Sequence, residues 1–319
     1  NDGALETADS VVVTVLPSPN TRPVVDAGQN QTIMIPSDAI LDGTVTDDGL
    51  PTPPGAVTIT WTTVIGPGPV TFQDPHLADT RATFTIAGTY ALRLIANDGA
   101  LSASDLVQIT VLPPPPAVER RISAGSDDAE EDNSGKFIRN ASDLDLVYES
   151  GSQTVGLRFT SLAVPTGATI IRAYIQFEAD GTQSDETNLV LRGQADDDPP
   201  TFSRADYGVS SRPGTAASAN WSPPAWTVVG EADLPQRTSE LKTVIQEIVD
   251  RPGWASGNAI VIMITGTGTG KRTARTQEIY PTGAALLHVE YGGLAQPLGA
   301  GPAEEAMRAE GVLVRGLKP

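Results

Sequence analysis

Residues 97–113 read NDGALSASDLVQITVLP, and residues 1–17 read NDGALETADSVVVTVLP. Eleven of the 17 positions match, at an offset of 96 residues. Each copy carries an Asn-Asp-Gly turn, then a β-branched alternating run, then a proline, which has no N–H to give a sheet ladder. That is how a final strand leaves a β-domain. An offset of 96 residues suits an immunoglobulin-like sandwich and is too long for a helical solenoid repeat. The expectation is a terminal strand of a preceding repeat at 1–17, with Val11, Val13 and Val15 as its assembly face, then one complete repeat at 18–113.

Within that repeat, strand signals fall at 31–35, 39–46, 57–64, 82–86, 90–97 and 106–112, with turn signals between them at Asp47-Asp48-Gly49, Pro53-Pro54-Gly55 and Gly66-Pro67-Gly68-Pro69. This spacing predicts a β-sandwich. Trp61 lies on a central strand with alternating neighbours and reads as a core anchor.

Several motifs occur in order here: VVDAG at 24–28, LDG at 41–43, Trp61 followed by GPGPVTF at 66–72, AGTY at 87–90 and NDG at 97–99. In these the region resembles the PKD repeat family, in the variant common in bacterial surface proteins. It departs from the better-known form in that Thr62 and Thr63, not an Asp-Phe-Gly-Asp-Gly turn, follow the tryptophan. The resemblance implies a sandwich acting as a spacer or interaction module outside the cell, without enzymatic activity of its own.

Four prolines at 113–116 form a linker that favours stiff polyproline II, with 114–117 as the boundary. A second domain is expected at 118–292. Its strand signals fall at 155–159, 169–177, 187–192, 259–265 and 285–291. One segment reads as a helix: Thr238 or Ser239 as N-cap, apolar Leu241, Val244, Ile245, Ile248 and Val249 on one face, and a stop at Arg251-Pro252-Gly253. The fold class is therefore all-β, an immunoglobulin-like sandwich followed by a larger β-sandwich with one helix. The carriers SDDAEE at 126–131, PTGATIIRAYIQF at 165–177, WSPPAW at 221–226 and VIQEIVDRPGW at 244–254 resemble a jelly-roll-like domain found at the ends of bacterial secreted and surface proteins. No defined activity comes with that resemblance. The tail at 293–319 is rich in Gly, Pro and Ala, and its apolar stretch at 311–316 is a candidate strand.

Composition narrows the chemistry. The 319 residues carry 21 Lys and Arg against 39 Asp and Glu, a formal charge of −18. Such a chain repels phosphate, which excludes nucleic acid and anionic membrane as partners. Absence of cysteine excludes disulfides, thiolate metal sites and cysteine nucleophiles. The two histidines, His76 and His288, are too few and too far apart in sequence for histidine catalysis. No apolar run approaches the ~20 residues of a membrane helix. The segment at 266–271 superficially resembles a phosphate loop, but only three residues separate Gly266 from Gly270, and Arg272 stands where Ser or Thr belongs. It reads as a loop between strands.

Two acidic groups stand out: Asp127, Asp128, Glu130 and Glu131 with Asp143 and Asp145, and Asp196, Asp197 and Asp198 with Asp206. Carboxylates gathered on short loops are what structural Ca²⁺ requires, and the six of the first group are its candidate ligands. The alternative is a solvated acidic face without an ion. Trp221 and Trp226 are the candidate carbohydrate platform, with core packing as the alternative.

The functional expectation is a non-catalytic, secreted or cell-surface structural or adhesive protein. Its assembly in a filament or matrix would proceed by β-strand addition, with self-association through edge strands. The alternative is a carbohydrate-binding accessory region of a larger secreted hydrolase, with polysaccharide as partner.

Overall fold

A computed structural model describes residues 9–138 and 142–293. The sequence readings at 1–8 and in the tail at 311–316 lie outside the described residues. The chain divides into two compact units, the first running to Pro114 and the second from Pro115.

The first unit contains nine strands: β1 (Val24–Asp26), β2 (Gln31–Met34), β3 (Ala39–Asp42), β4 (Thr44–Thr46), β5 (Thr58–Ile65), β6 (Val70–Phe72), β7 (Asp79–Phe84), β8 (Gly88–Asn97) and β9 (Ser102–Leu112). A four-stranded sheet has the order β2-β9-β8-β5 and a three-stranded sheet the order β3-β7-β6; β1 and β4 make a separate pair. Alternation puts Val107, Ile109 and Val111 of β9 and Tyr90, Leu92 and Leu94 of β8 into one core with Leu41, Ala82 and Phe84 of the smaller sheet. Trp61 is 2 % exposed at its centre, and its indole N–H donates to the carbonyls of Leu77 and Ala78, each at 3.1 Å. The single strand expected at 39–46 is two, broken at Gly43. A Cβ there would sit 2.7 Å from Leu94 Cδ2 and 2.9 Å from the carbonyl of Ala78, so the two sheets approach where a side chain is missing.

Unlike the other pairs of this sheet, β2 and β9 run parallel, with Gln31 opposite Ile109 and Met34 opposite Leu112. β9 is thus an interior strand, bonded on its other side to β8 in antiparallel register from Gly88–Val111 to Asn97–Ser102.

The second unit contains β10 (Ala117–Arg121), β11 (Asp128–Asp132), β12 (Asp143–Leu146), β13 (Gln153–Phe159), β14 (Thr169–Gln176), β15 (Asn188–Gln194), β16 (Gly214–Trp221), the helix α1 (Lys242–Val249), β17 (Ile260–Thr267), β18 (Arg272–Arg275) and β19 (Leu286–Gly292). A five-stranded antiparallel sheet, β11-β13-β17-β15-β16, and a three-stranded one, β10-β19-β14, share a core; β12 and β18 form a third pair. β17 is apolar on both faces. Ile260, Ile262 and Ile264 enter the main core, while Val261 and Met263 join Ala129, Phe202 and Val209 in a smaller one. The helix buries Val244, Ile245, Ile248 and Val249, each worth about 1.5–3 kcal/mol of transfer free energy.

The helix lies where its periodicity predicts, but its cap differs. Leu241 is the N-cap residue and has no side-chain cap. Thr238 and Ser239 are engaged elsewhere, the first accepting the Ile175 N–H at 3.0 Å and the second donating to the Asn220 carbonyl at 2.7 Å. Glu240 accepts the N–H of Lys242 instead, at 2.9 Å.

Candidate functional site

Three regions were marked by sequence, and the structure treats them differently. In the first, Val11, Val13 and Val15 are 86, 74 and 86 % exposed. Residues 9–23 form no strand, and among the described residues the stretch 11–16 has no backbone pairing partner. Its counterpart β9 holds the equivalent Val107, Ile109 and Val111 at 1, 0 and 0 % exposure. The same apolar alternation is fully used in one place and unused in the other.

The second is the acidic group, and here one expectation is corrected. Asp128, Glu130 and Glu131 sit on β11 and Asp143 and Asp145 on β12, not on short loops. β11 is held at the edge of the five-stranded sheet by β13, and its carboxylates are buried because protein donors reach them. Glu131 is fully buried and accepts the backbone N–H groups of Val209 and of Ser210, the latter at 2.9 Å. Asp127 pairs with Arg158 at 3.0 Å and accepts the Thr201 hydroxyl at 3.0 Å. Asp145 pairs with Lys271 at 3.1 Å and accepts the Thr273 hydroxyl at 3.1 Å.

Asp128, Glu130 and Asp143 line one cavity of about 130 Å³, together with Arg204, Thr276 and Glu278. Burial pushes the Glu130 carboxyl up to about 8 and the Asp128 carboxyl up to about 6, with neighbouring carboxylates adding to both. Burial also raises Asp145, against the opposing pull of Lys271. Among the described residues, no three Asp, Glu, His or Cys side chains are grouped so as to hold a metal ion. In the second acidic group, Asp197 pairs with Arg251 and Asp198 accepts the Ala259 N–H at 2.8 Å.

The third region is the tryptophans. Trp221 and Trp226 are 5 and 1 % exposed and belong to the main core, so neither offers a ring face to a sugar. Trp221 stacks on Phe177 with centroids 5.7 Å apart. The Trp226 indole donates to the Pro235 carbonyl at 3.0 Å. The platform expectation fails because both rings fill the space between α1, the sheets and the proline-rich segment.

Arg272 went unread as a structural residue. It is 1 % exposed, and its guanidinium donates to the carbonyls of Pro223, Pro224 and Asp185 at 2.9–3.0 Å and to the Thr187 hydroxyl at 3.1 Å. The only sequence signal was its place after the Gly-Thr-Gly loop. No helix among the described residues is long and apolar enough to cross a membrane.

Residues 27–111 match the family model of the KIAA0319-like PKD domain. The first unit is a PKD-like domain. Similar solved structures include the PKD domain of the KIAA 1837 protein, 22 % identical over 31 % of this chain and 93 % of that one, with a TM-score of 0.24. Another is the PKD domain of human KIAA0319, 17 % identical over 33 % of this chain and 93 % of that one, at 0.25. A third, the CBM51-2 and INT domains of Clostridium perfringens ZmpB, is 11 % identical over 91 % of this chain and 52 % of that one, at 0.21. PKD-like domains are as a class non-catalytic modules of extracellular structural and adhesion proteins. In this one the last strand is β9, and the exposed segment with Val11, Val13 and Val15 has its sequence.

Proposed function

We propose that this protein is a non-catalytic structural or adhesive component of the cell exterior, joined to neighbouring β-sandwich modules by strand addition through Val11, Val13 and Val15, as in a filament or matrix. One observation carries the reading: three valines stand exposed whose repeat counterparts are the buried face of β9. A lone strand cannot bury its apolar face, and strand addition supplies both the ladder and the core.

The absence of cysteine from the chain makes a clean test available. Val13→Cys and Ile40→Cys each introduce a single thiol at a site exposed in the free chain, Ile40 being 60 % exposed on β3. On intact producing cells, a membrane-impermeant maleimide should label Cys at position 40 and leave Cys at position 13 unlabelled until the surface material is denatured. In the purified chain both should label. Labelling of neither on intact cells would refute the extracellular placement, and equal labelling of both would refute joining through this segment.

A further inference from the structure

The position of β9 says what the exposed segment fits. β9 is not an edge strand, since β2 pairs with it in parallel on one side and β8 antiparallel on the other. A segment with the sequence of β9 therefore suits a slot between two strands, with its inner face against a core.

The substitutions between the two copies respect that slot. Of the six differences, five (Ser102/Glu6, Ala103/Thr7, Ser104/Ala8, Leu106/Ser10 and Gln108/Val12) fall where β9 is exposed or half-buried. The sixth, Ile109/Val13, keeps a β-branched apolar residue at a buried position. Asp105 also recurs, as Asp9. In the folded unit its carboxylate accepts the Ala27 N–H at 3.0 Å, an anchor between the start of the domain and its last strand. The Asn-Asp-Gly-Ala-Leu sequence at 97–101, which joins β8 to β9, is repeated as well. Turn and strand travel together, so the acceptor supplies β2 and β8 and lacks only β9.

We infer that residues 9–17 are the final strand of a second PKD-like sandwich that lacks its own, inserting between that body's β2 and β8 equivalents and not adding to a sheet edge. This rests on the proposed joining role and names its acceptor. It also sets a rule of pairing. A complete copy of this chain already fills the slot with β9, so complete copies are not acceptors for one another.

Two measurements test it. In the full chain, the six substitutions S102E, A103T, S104A, L106S, Q108V and I109V give β9 the sequence of the exposed segment. The first unit should still unfold cooperatively, its Tm lowered by no more than about 5 °C, the scale set by an Ile→Val change in a domain of this size. Loss of its transition would overturn the inference. In a tandem protein, residues 18–96 are placed directly before Asn1 of the full chain. Amide exchange at 11–16, fast in the natural chain, should slow at least 100-fold, and Val13→Asp should abolish that protection and expose only the added copy to protease. Unchanged exchange in the tandem would overturn the inference. If that happens while the Val13→Cys thiol stays protected on cells, joining through this segment stands and only this acceptor falls.

Discussion

The Oε1 atom of Glu130 on β11 accepts the backbone N–H of Asp145 on β12 at 2.6 Å. A carboxyl is thereby fixed in a closed space beside Asp143 and Asp145, and Lys271 is already committed to Asp145. The cavity favours the uncharged form of Glu130, because an ion there loses water and gains no cation of its own.

That arrangement fixes the sign of a pH dependence. Glu130 and Asp128 are raised in the fold to about 8 and about 6, above 4.5 and 3.8 in the open chain. Below the open-chain values both states are protonated and the second unit has its full stability. As pH rises through 6 and then 8, the fold must ionise buried groups and stability is lost. At about 1.4 kcal/mol for each pH unit of displacement, the loss is on the order of a few kcal/mol. Calorimetry of the second unit should show its Tm falling from pH 5 to pH 8.5. Glu130→Gln, which keeps an acceptor for Asp145, should flatten the upper half of that decline.

Calcium is tested in the same experiment. Asp127, Glu131 and Asp145 already have protein donors, so millimolar CaCl₂ or a chelator at pH 6 should move the transition by less than about 1 °C. A rise abolished by Asp128→Asn would restore the cation reading of the cavity.

Arg272 should be among the most sensitive positions of the second unit. Lysine in its place would keep the charge but reach few of the carbonyls of Pro223, Pro224 and Asp185. Leaving buried acceptors unpaired costs about 1–3 kcal/mol each. Urea unfolding of Arg272→Lys should show a loss of at least about 2 kcal/mol on that scale, confined to the second unit.

What the sequence made legible follows from how each strand is stabilised. β9 and β8 could be read because their stability is apolar burial, and apolar burial writes an alternating pattern. β11 could not, because Asp128, Ala129, Glu130, Glu131 and Asp132 have the composition of a solvated loop. They form a strand only through pairing with β13 and donors arriving from 209–210. β16, with Gly214, Thr215, Ala216 and Ala217, was silent for a related reason: small residues pack without a strong signal. Trp221 and Trp226 were visible as large aromatic side chains, but residue type does not say which way a ring faces. Trp226→Ala should accordingly cost the second unit about 3–5 kcal/mol of stability.

The parallel pairing of β2 with β9 gives the first unit a mechanical character that its composition does not show. β2 lies near the N-terminal end of the unit and β9 at its C-terminal end, paired in register from Gln31–Ile109 to Met34–Leu112, with the Ile35 N–H extending the ladder to the Leu112 carbonyl at 3.1 Å. Tension between the two ends draws these strands past each other along their axes. The bonds across the pair are loaded together, whereas an antiparallel hairpin pulled from its open end releases them one at a time. Forced unfolding is governed by the barrier along that direction and not by equilibrium stability. Single-molecule stretching should therefore show a high peak for the first unit. Ile33→Pro, which removes an N–H from the loaded strand, should lower that peak by a larger fraction than it lowers the stability measured in urea. Equal proportional losses in the two measurements would mean that tension is borne elsewhere in the sandwich.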